Sequence, residues 1–325
     1  MRALITGADG FAGGHLARHL RAAIPDAELH GTVRLPVEQY PQLGALMASV
    51  TQIDLRDPEA VIVLMKATQP EVIFHLAAQA FVPRSFEDPW ETLENNIRAQ
   101  LNLILAVLAL GIAPRMLVVS SAEVYGNVPP EQMPMTEDLP LAPDSPYSVS
   151  KVTQDMLGLQ YYLSHHLPIV RVRPFNHIGP GQSAGFVAPA FALQIARIER
   201  GLQEPVIHVG NLAARRDFSD VRDVVAAYVA AATRGKPGAV YNVCSGRAYS
   251  VRYLLDVLLS YSTVSVEVRP DPQRMRPVDR PLVIGSAARL QADTGWQPRI
   301  SFEQSLRDVL EDARGRIAET EDQVS

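Results

Sequence analysis

Residues 2–13 read Arg-Ala-Leu-Ile-Thr-Gly-Ala-Asp-Gly-Phe-Ala-Gly, a short apolar run that leads into three glycines spaced three residues apart. The run predicts a strand, the residues from 13 onward predict a helix, and Gly7, Gly10 and Gly13 fall in the turn that joins them. Glycine allows a tight turn and lets the backbone approach a pyrophosphate, while the first N–H groups of the helix face the anion. The stretch therefore predicts a dinucleotide site.

The first half of the chain repeats this order of strand and helix. Further strands are predicted at 28–33, 72–75, 116–119 and 168–172. Helices are predicted at 13–23, 58–66, 91–110 and 146–165, the last with Asp144 or Ser145 as its cap and Pro146 in its first turn. This alternation is typical of a Rossmann-like α/β fold, in which helices cover both faces of a doubly wound parallel sheet.

After about residue 174 the elements become shorter. Helices are predicted at 186–201, 221–233, 249–261 and 302–314, and strands at 206–210, 240–244 and 264–269. We expect a smaller C-terminal substrate-binding lobe over the carboxyl edge of the sheet, where open α/β sheets bind ligands. The predicted nucleotide-binding domain is 1–173 with parts of about 216–246 and 283–293. The lobe takes about 174–215, 247–282 and 294–318, and 319–325 is expected to fray.

Composition excludes several classes of protein. The chain has 325 residues, 47% hydrophobic and 20% charged, with a net charge of −5, so it can bury a large core and lacks the positive field of a general nucleic-acid binder. Its single cysteine, Cys244, excludes an intrachain disulfide framework and a cysteine zinc site. The apolar run 103–113 is about half a membrane span, and the chain enters its first strand at once. We expect a cytoplasmic protein without a metal site.

The end of the second predicted strand bears on the choice of nucleotide. It reads Gly31-Thr32-Val33-Arg34, without the carboxylate that accepts hydrogen bonds from an NAD ribose. Arg34 could pair with a 2′-phosphate, which favours NADP(H) over NAD(H), although a solvated surface arginine would read the same way. Asp54 and Leu55 follow a third strand that we expect between those at 28–33 and 72–75. They either flank the adenine or lie before the helix predicted at 58–66, with Asp54 as its cap.

A tyrosine, a lysine and a serine form the candidate catalytic group. Tyr147 and Lys151 lie four residues apart on the predicted helix 146–165 and hence on one face. Ser121 lies at the end of the fifth strand, the one predicted at 116–119. A nearby ammonium and a positive nicotinamide ring would lower the pKa of the phenol. The three groups could then move a proton on and off a carbonyl oxygen while hydride moves to carbon. The structural alternative is an exposed helix pair.

Four motifs together resemble the extended short-chain dehydrogenase/reductases that modify nucleotide sugars. They are the glycine stretch, His75-Leu76-Ala77-Ala78, Ser120-Ser121-Ala122-Glu123-Val124-Tyr125-Gly126 and Ser145-Pro146-Tyr147-Ser148-Val149-Ser150-Lys151. Residues 173–182, 209–212, 216–218, 241–246 and 294–298 narrow the resemblance to GDP-6-deoxy-D-mannose reductases, the sister family of the GDP-mannose 4,6-dehydratases. It implies NADPH-dependent reduction of the C4 ketone of GDP-4-dehydro-6-deoxy-D-mannose to GDP-6-deoxy-D-mannose (GDP-D-rhamnose).

The resemblance also implies a role for individual residues. Ser121, Tyr147 and Lys151 would be the catalytic triad, with Tyr147 protonating the C4 oxygen and Lys151 holding the nicotinamide ribose. The implied cofactor contacts are Gly7, Gly10, Phe11, Gly13, Arg34, Asp54, Leu55, Leu76, Ala77, Ala78, Tyr147, Lys151, Pro174 and His177. The implied substrate contacts are Ser121, Glu123, Asn176, Val187, Arg216, Arg276 and Asp279, with the two arginines on the phosphates, Asn176 on the sugar diphosphate and Asp279 on the guanosine ribose.

Two other functions stay open at this point. Glu123 stands where the dehydratases place their catalytic base, but it could equally anchor a sugar hydroxyl, and the preceding Ala122 cannot act as an acid. A non-catalytic NADP(H)-binding sensor would be expected to lose part of the triad, which is intact here. The resemblance further implies a homodimer formed through the helices at about 91–110 and 146–165.

Overall fold

The computed structural model describes residues 1–272 and 280–322, and its larger sheet begins with the apolar run quoted above. The strands are β1 (Arg2–Thr6), β2 (Glu28–Val33), β3 (Ser49–Gln52), β4 (Val72–His75), β5 (Arg115–Val119), β6 (Ile169–Pro174), β7 (Asn176–Ile178), β8 (Val206–Val209), β9 (Arg215–Asp220), β10 (Val240–Val243), β11 (Ala248–Ser250), β12 (Glu267–Pro270) and β13 (Leu282–Val283). The helices are α1 (Phe11–Ala23), α2 (Pro41–Gly44), α3 (Pro58–Thr68), α4 (Val82–Glu87), α5 (Pro89–Ala109), α6 (Pro146–His165), α7 (Val187–Glu199), α8 (Val221–Arg234), α9 (Val251–Ser260), α10 (Ala288–Thr294) and α11 (Phe302–Asp322).

The larger sheet has seven strands in the order β3-β2-β1-β4-β5-β6-β10. Every neighbouring pair is parallel, and the order of winding reverses between β1 and β4. Alternate residues of β1 enter different cores: Ala3 and Ile5 pack with α1 and α8, whereas Leu4 packs with α3 and α5 on the other face. The prediction of a doubly wound α/β sheet is confirmed, and the reversal of winding marks the edge at which such sheets bind ligands.

The second lobe has its own apolar core and two small sheets. One sheet runs β11-β9-β13 with β7 added on β9, and the other is the pair β8-β12. Helices α7, α9 and α11 enclose this core. Between these segments the chain returns to the larger sheet with α8, β10 and α10, while β9 and β13 stay in the smaller one.

Helix α11 is longer than the sequence suggests. We expect it to end at 314, before Gly315, and the segment from 319 to fray, but it continues to Asp322. Ion pairs on both sides of the glycine stabilise the extra turns: Arg314 contacts Glu199 at 2.7 Å, and Arg316 contacts Asp312 at 2.6 Å. Among the residues that the structure describes, no helix combines the length and apolar character needed to cross a bilayer.

Candidate active site

The glycine turn is shaped to receive a diphosphate. Gly7 has a φ of +68°, and a Cβ atom there would lie 2.9 Å from the Cα of Ala77. A Cβ atom at Gly13 would overlap the carbonyl oxygen of Gly7. Helix α1 begins at Phe11 behind Gly10, and no side chain hydrogen-bonds its first N–H groups. Bare backbone, close packing and an uncapped helix start fit the pyrophosphate of a dinucleotide.

The adenosine end of the predicted cofactor site carries two arginines. Arg34 is exposed directly after β2. Arg56 pairs with Asp54 at 2.6 Å, and this hydrogen-bonded contact lowers the pKa of Asp54, to which the charge of Arg34 also contributes. The alternative that Asp54 caps a helix is wrong, because Asp57 accepts the N–H groups at the start of α3. Leu55 is buried.

A buried polar chain that sequence analysis missed links the glycine turn to the catalytic helix. Thr6 Oγ1 accepts the Ala77 N–H at 3.2 Å and lies 2.9 Å from His75 Nδ1. On its other side His75 Nε2 lies 3.4 Å from the Gln154 amide of α6. Burial lowers the pKa of His75 to about 3, so the ring is neutral. These hydrogen bonds hold Leu76, Ala77 and Ala78, which follow β4, close to α6.

The triad predicted from the sequence is brought together where β5 ends and α6 begins. Helix α6 covers Pro146–His165 as predicted, with Ser145 and Ser148 forming its capping box. Ser121, Tyr147 and Lys151 are all buried, with 4–8% of each residue exposed. Lys151 Nζ donates to the Val119 carbonyl at 2.9 Å and lies 6.0 Å from the centre of the Tyr147 ring. The Ser121 hydroxyl accepts the Glu123 N–H at 3.2 Å.

Burial dominates the acid–base properties of the triad. It raises the pKa of Tyr147 to about 12, opposed by hydrogen bonding with Ser121 and reinforced by the charge of Glu123. Lys151 is not among the causes of this shift, because its side-chain nitrogen is directed at a backbone carbonyl; the lowering expected from the ammonium together with a nicotinamide ring stays a prediction. Burial also lowers the pKa of Lys151 to about 7. The phenol is thus protonated at neutral pH and suited to donate a proton.

The buried ammonium gives a pH-dependent prediction for stability without added nucleotide. Between pH 7 and about 10 the unfolded chain keeps a proton on Lys151 that the folded chain has released. The free energy of unfolding should therefore rise with pH there, by up to about 1.4 kcal/mol per unit. We expect Lys151→Met to lose this slope and the exposed Lys66→Met to keep it, as measured by urea denaturation at several pH values. If the free energy of unfolding changed with pH in the same way for wild type and Lys151→Met, the lowered pKa of Lys151 would be contradicted.

Two further predicted cofactor residues follow one another along the chain, and one of them contacts the first residue of α1. Pro174 ends β6, and His177 lies in β7 with its ring stacked on Phe11 at 5.8 Å between ring centres. His177 Nδ1 lies 3.1 Å from the Phe175 carbonyl, and burial lowers the pKa of its ring. The ring of Phe11, the first residue of α1, therefore packs against β7.

The structure describes only some of the substrate contacts predicted in the second lobe. Asn176 is exposed at the start of β7, and Val187 begins α7. Arg216 lies in β9, and its guanidinium donates to the carbonyls of Arg215 and Arg280 at 3.0 and 2.7 Å. Arg276 and Asp279 lie outside the described residues. Within the two described ranges, no cluster of His, Cys, Asp or Glu could hold a metal ion.

Sequence analysis also missed an arginine next to the triad. Arg280 Nη2 lies 3.1 Å from a carboxylate oxygen of Glu123 and 2.6 Å from one of Asp144. Asp144 is thus not the helix cap considered above, since Ser145 takes that place. The sequence shows only that Arg280 precedes Pro281, and this position does not identify the carboxylates with which it pairs.

Comparisons with known proteins agree with this site. The sequence model of a family described as GDP-mannose 4,6 dehydratase matches residues 4–309. A Pseudomonas aeruginosa protein named GDP-6-deoxy-D-mannose reductase is 40% identical over 98% of this chain and 99% of its own length. A solved structure of RMD from Pseudomonas aeruginosa in complex with NADPH has a TM-score of 0.86 and 39% identity, covering 97% of this chain and all of that one.

A second solved structure has the same fold at lower sequence identity. It is UDP-glucose 4-epimerase of Thermus thermophilus in complex with NAD, with a TM-score of 0.85 and 30% identity, covering 97% of this chain and 99% of the other. The shared fold extends over nearly the whole chain. The chain belongs to the GDP-mannose 4,6-dehydratase family, within the extended short-chain dehydrogenase/reductases that modify nucleotide sugars.

Proposed function

We propose that this chain is an NADPH-dependent nucleotide-sugar 4-ketoreductase that converts GDP-4-dehydro-6-deoxy-D-mannose to GDP-6-deoxy-D-mannose (GDP-D-rhamnose). One observation carries the proposal: Ser121, Tyr147 and Lys151 lie buried where β5 ends and α6 begins, and the helix behind the glycine turn starts without a capping side chain. They do so in a chain that is 40% identical, over nearly its full length, to a protein named GDP-6-deoxy-D-mannose reductase.

The protonation states suit reduction. NADPH, when bound, supplies the hydride that adds to C4 of the sugar. The Tyr147 phenol, with a pKa raised to about 12, is protonated at neutral pH and can give its proton to the C4 oxygen as charge develops there. Ser121, which hydrogen-bonds with this phenol, can donate to the same oxygen. Lys151, four residues further along the same face of α6, would hold the nicotinamide ribose hydroxyls through its side-chain nitrogen.

The remaining predicted residues divide between cofactor and sugar nucleotide. The backbone at Gly7, Gly10 and Gly13 would hold the cofactor pyrophosphate, with Arg34 on the 2′-phosphate. Asn176, Val187 and Arg216 come from the second lobe and would contact the sugar diphosphate. Arg276 and Asp279 are assigned to the second phosphate and the guanosine ribose on sequence resemblance alone.

A guanidinium on the 2′-phosphate predicts a measurable preference for NADPH over NADH. Because Arg34 is exposed, we expect Arg34→Ala to raise KM for NADPH by about 10-fold and to leave KM for NADH nearly unchanged. Steady-state kinetics with the two nucleotides checks this. Arg252→Ala, which removes an exposed arginine paired with Asp256 in the second lobe, is the matched control. Equal changes in both KM values would remove Arg34 from phosphate recognition.

The experiment that tests the proposed function separates it from its alternatives. Purified protein supplied with the GDP-linked 4-keto sugar should consume NADPH, followed at the absorbance of the reduced nicotinamide, and give GDP-D-rhamnose. Supplied with GDP-mannose alone it should form no 4-keto product. A 4-keto product would favour GDP-mannose 4,6-dehydratase, the second candidate, which Glu123 beside Tyr147 supports. Cofactor binding without either turnover would favour a sensor.

We also infer a cytoplasmic homodimer that forms through α5 and α6. Val149, Met156 and Leu163 lie seven residues apart on α6 and are 36–64% exposed, and Leu105 of α5 is 45% exposed. Such an apolar stripe favours association with a second copy of the chain. We expect Leu163→Arg to convert a dimer to a monomer of half the mass in light scattering. Leu202→Arg, at an exposed leucine elsewhere, should not, and a wild-type monomer would contradict the inference.

A further inference from the structure

Arg280 joins the two lobes at the catalytic group. Its guanidinium contacts Glu123, which follows Ser121, and Asp144, which precedes the start of α6. Its own carbonyl accepts a hydrogen bond from Arg216 at 2.7 Å, and the next carbonyl, of Pro281, accepts the Arg215 N–H at 2.9 Å. We call Arg280 with Glu123 and Asp144 the Arg280 clamp. The clamp thus connects strand β9 of the second lobe to the two segments that carry Ser121 and Tyr147.

The clamp is well placed to control Glu123. The Arg280 side chain is only 11% exposed, whereas those of Glu123 and Asp144 are 39% and 38% exposed. One cation therefore bridges two carboxylates at the edge of the site. Glu123 lies two residues after Ser121, whose hydroxyl accepts the Glu123 N–H at 3.2 Å, and its charge helps to raise the pKa of the Tyr147 phenol.

A carboxylate in that position could cause a side reaction of a ketone substrate, the removal of a proton from the neighbouring carbon. The hydrogen on a carbon next to a ketone is acidic, because the electron pair left behind is delocalised onto the carbonyl oxygen. With Ser121 and Tyr147 polarising the C4 oxygen, a free carboxylate could take the proton from C5 and leave an enolate. The Arg280 guanidinium, 3.1 Å from an oxygen of Glu123, directs this carboxylate toward the cation, so it is not free to reach the C5 hydrogen.

We propose that Arg280 is a positioning residue that determines specificity: it holds Glu123 in the clamp, so that the bound ketone is reduced at C4 and is not deprotonated at C5. The inference rests on the proposed function, since it requires the 4-keto sugar as substrate. Glu123 then serves as an oriented acceptor for substrate hydroxyl groups, and its carboxylate becomes free to reach C5 when Arg280 is removed.

Deuterium exchange at C5 measures this directly. The 4-keto sugar is incubated with enzyme in D2O with NADP⁺ in place of NADPH, so that no reduction competes. If the carboxylate takes the C5 proton and a solvent deuteron returns to the same carbon, the C6 methyl doublet in the proton NMR spectrum collapses. We expect Arg280→Met to exchange at least about 10-fold faster than wild type. The double variant R280M/E123Q should return to the wild-type rate.

A matched control exists in the same chain. Arg289 also bridges two carboxylates, those of Glu137 and Asp138 at 3.7 and 2.8 Å, and is 37% exposed. Arg289→Met should exchange at the wild-type rate. Arg280→Lys keeps the charge but loses the guanidinium, whose Nη2 contacts both carboxylates, so intermediate exchange is expected. This variant also serves if Arg280→Met fails to fold.

The outcomes separate the two proposals. If wild type reduces the ketone but neither Arg280 variant exchanges C5 hydrogen faster than Arg289→Met, the clamp has no such role. Fast exchange by wild type, or exchange that survives R280M/E123Q, overturns it as well. If wild type with NADPH does not reduce the ketone at all, the proposed function fails, and the clamp proposal fails with it.

Discussion

Replacing Tyr147 by phenylalanine is expected to lower kcat for ketone reduction by about 10²–10⁴-fold, the usual contribution of a positioned general acid. The change deletes one oxygen from a side chain of which 8% is exposed, so the ring keeps its packing. Without the phenol, Ser121 alone faces the C4 oxygen, and a serine hydroxyl is a far weaker acid. The rate of NADPH oxidation by the 4-keto sugar checks the expected fall.

The loss should lie in the chemical step and not in binding. Affinity for NADPH, measured by quenching of protein fluorescence, should stay within about twofold, because backbone and arginine contacts dominate dinucleotide binding. Tyr161→Phe provides the control: it lies on the same helix, stacks on His165 at 5.2 Å and should leave kcat unchanged. Unchanged turnover by Tyr147→Phe with normal cofactor binding would remove the phenol from the mechanism.

The parts of the fold and site that sequence analysis predicted are those specified locally. Strands β2 and β4 and helix α6 have the predicted bounds. In α6 the Ser-Pro start is a local signal, and the four-residue spacing then places Tyr147 and Lys151 on one face. The glycine turn is equally local, because its three glycines lie within seven residues between a strand and a helix.

What the sequence did not predict depends on residues far apart in the chain. Arg280 pairs with Asp144 across 136 residues, and His75 meets Gln154 across 79, so neither partner can be identified from spacing. Spacing along the helix likewise does not show that burial raises the pKa of Tyr147 or that Lys151 donates to a backbone carbonyl. Strands β7 and β11, of three residues each, are too short to give a pattern.

A buried ion triad attaches the catalytic helix to the sheet. Asp155 of α6 is fully buried and accepts hydrogen bonds from Arg171 and Arg173 of β6, each at 2.7 Å. Both arginines are themselves buried, with 4% and 3% of the residue exposed. Arg173 also donates to the hydroxyl of Tyr125 at 3.0 Å, which extends the network to the segment after Ser121. The ion pairs of Asp155 with Arg171 and Arg173 therefore stabilise the region that positions Tyr147 and Lys151.

Asp155→Asn should lower the free energy of unfolding by about 3–5 kcal/mol, because it leaves two buried guanidinium groups without a counter-charge. The exposed pair Arg252–Asp256, at 4.0 Å and one helical turn apart, provides the matched control, and Asp256→Asn should cost no more than about 0.5 kcal/mol. Urea denaturation at constant pH, with the midpoint compared at unchanged slope, measures both. The contrast follows from burial, since both substitutions remove one carboxylate charge from a pair with arginine. Similar losses for the two variants would mean that water reaches Asp155, and the network would then hold α6 no more strongly than a surface ion pair.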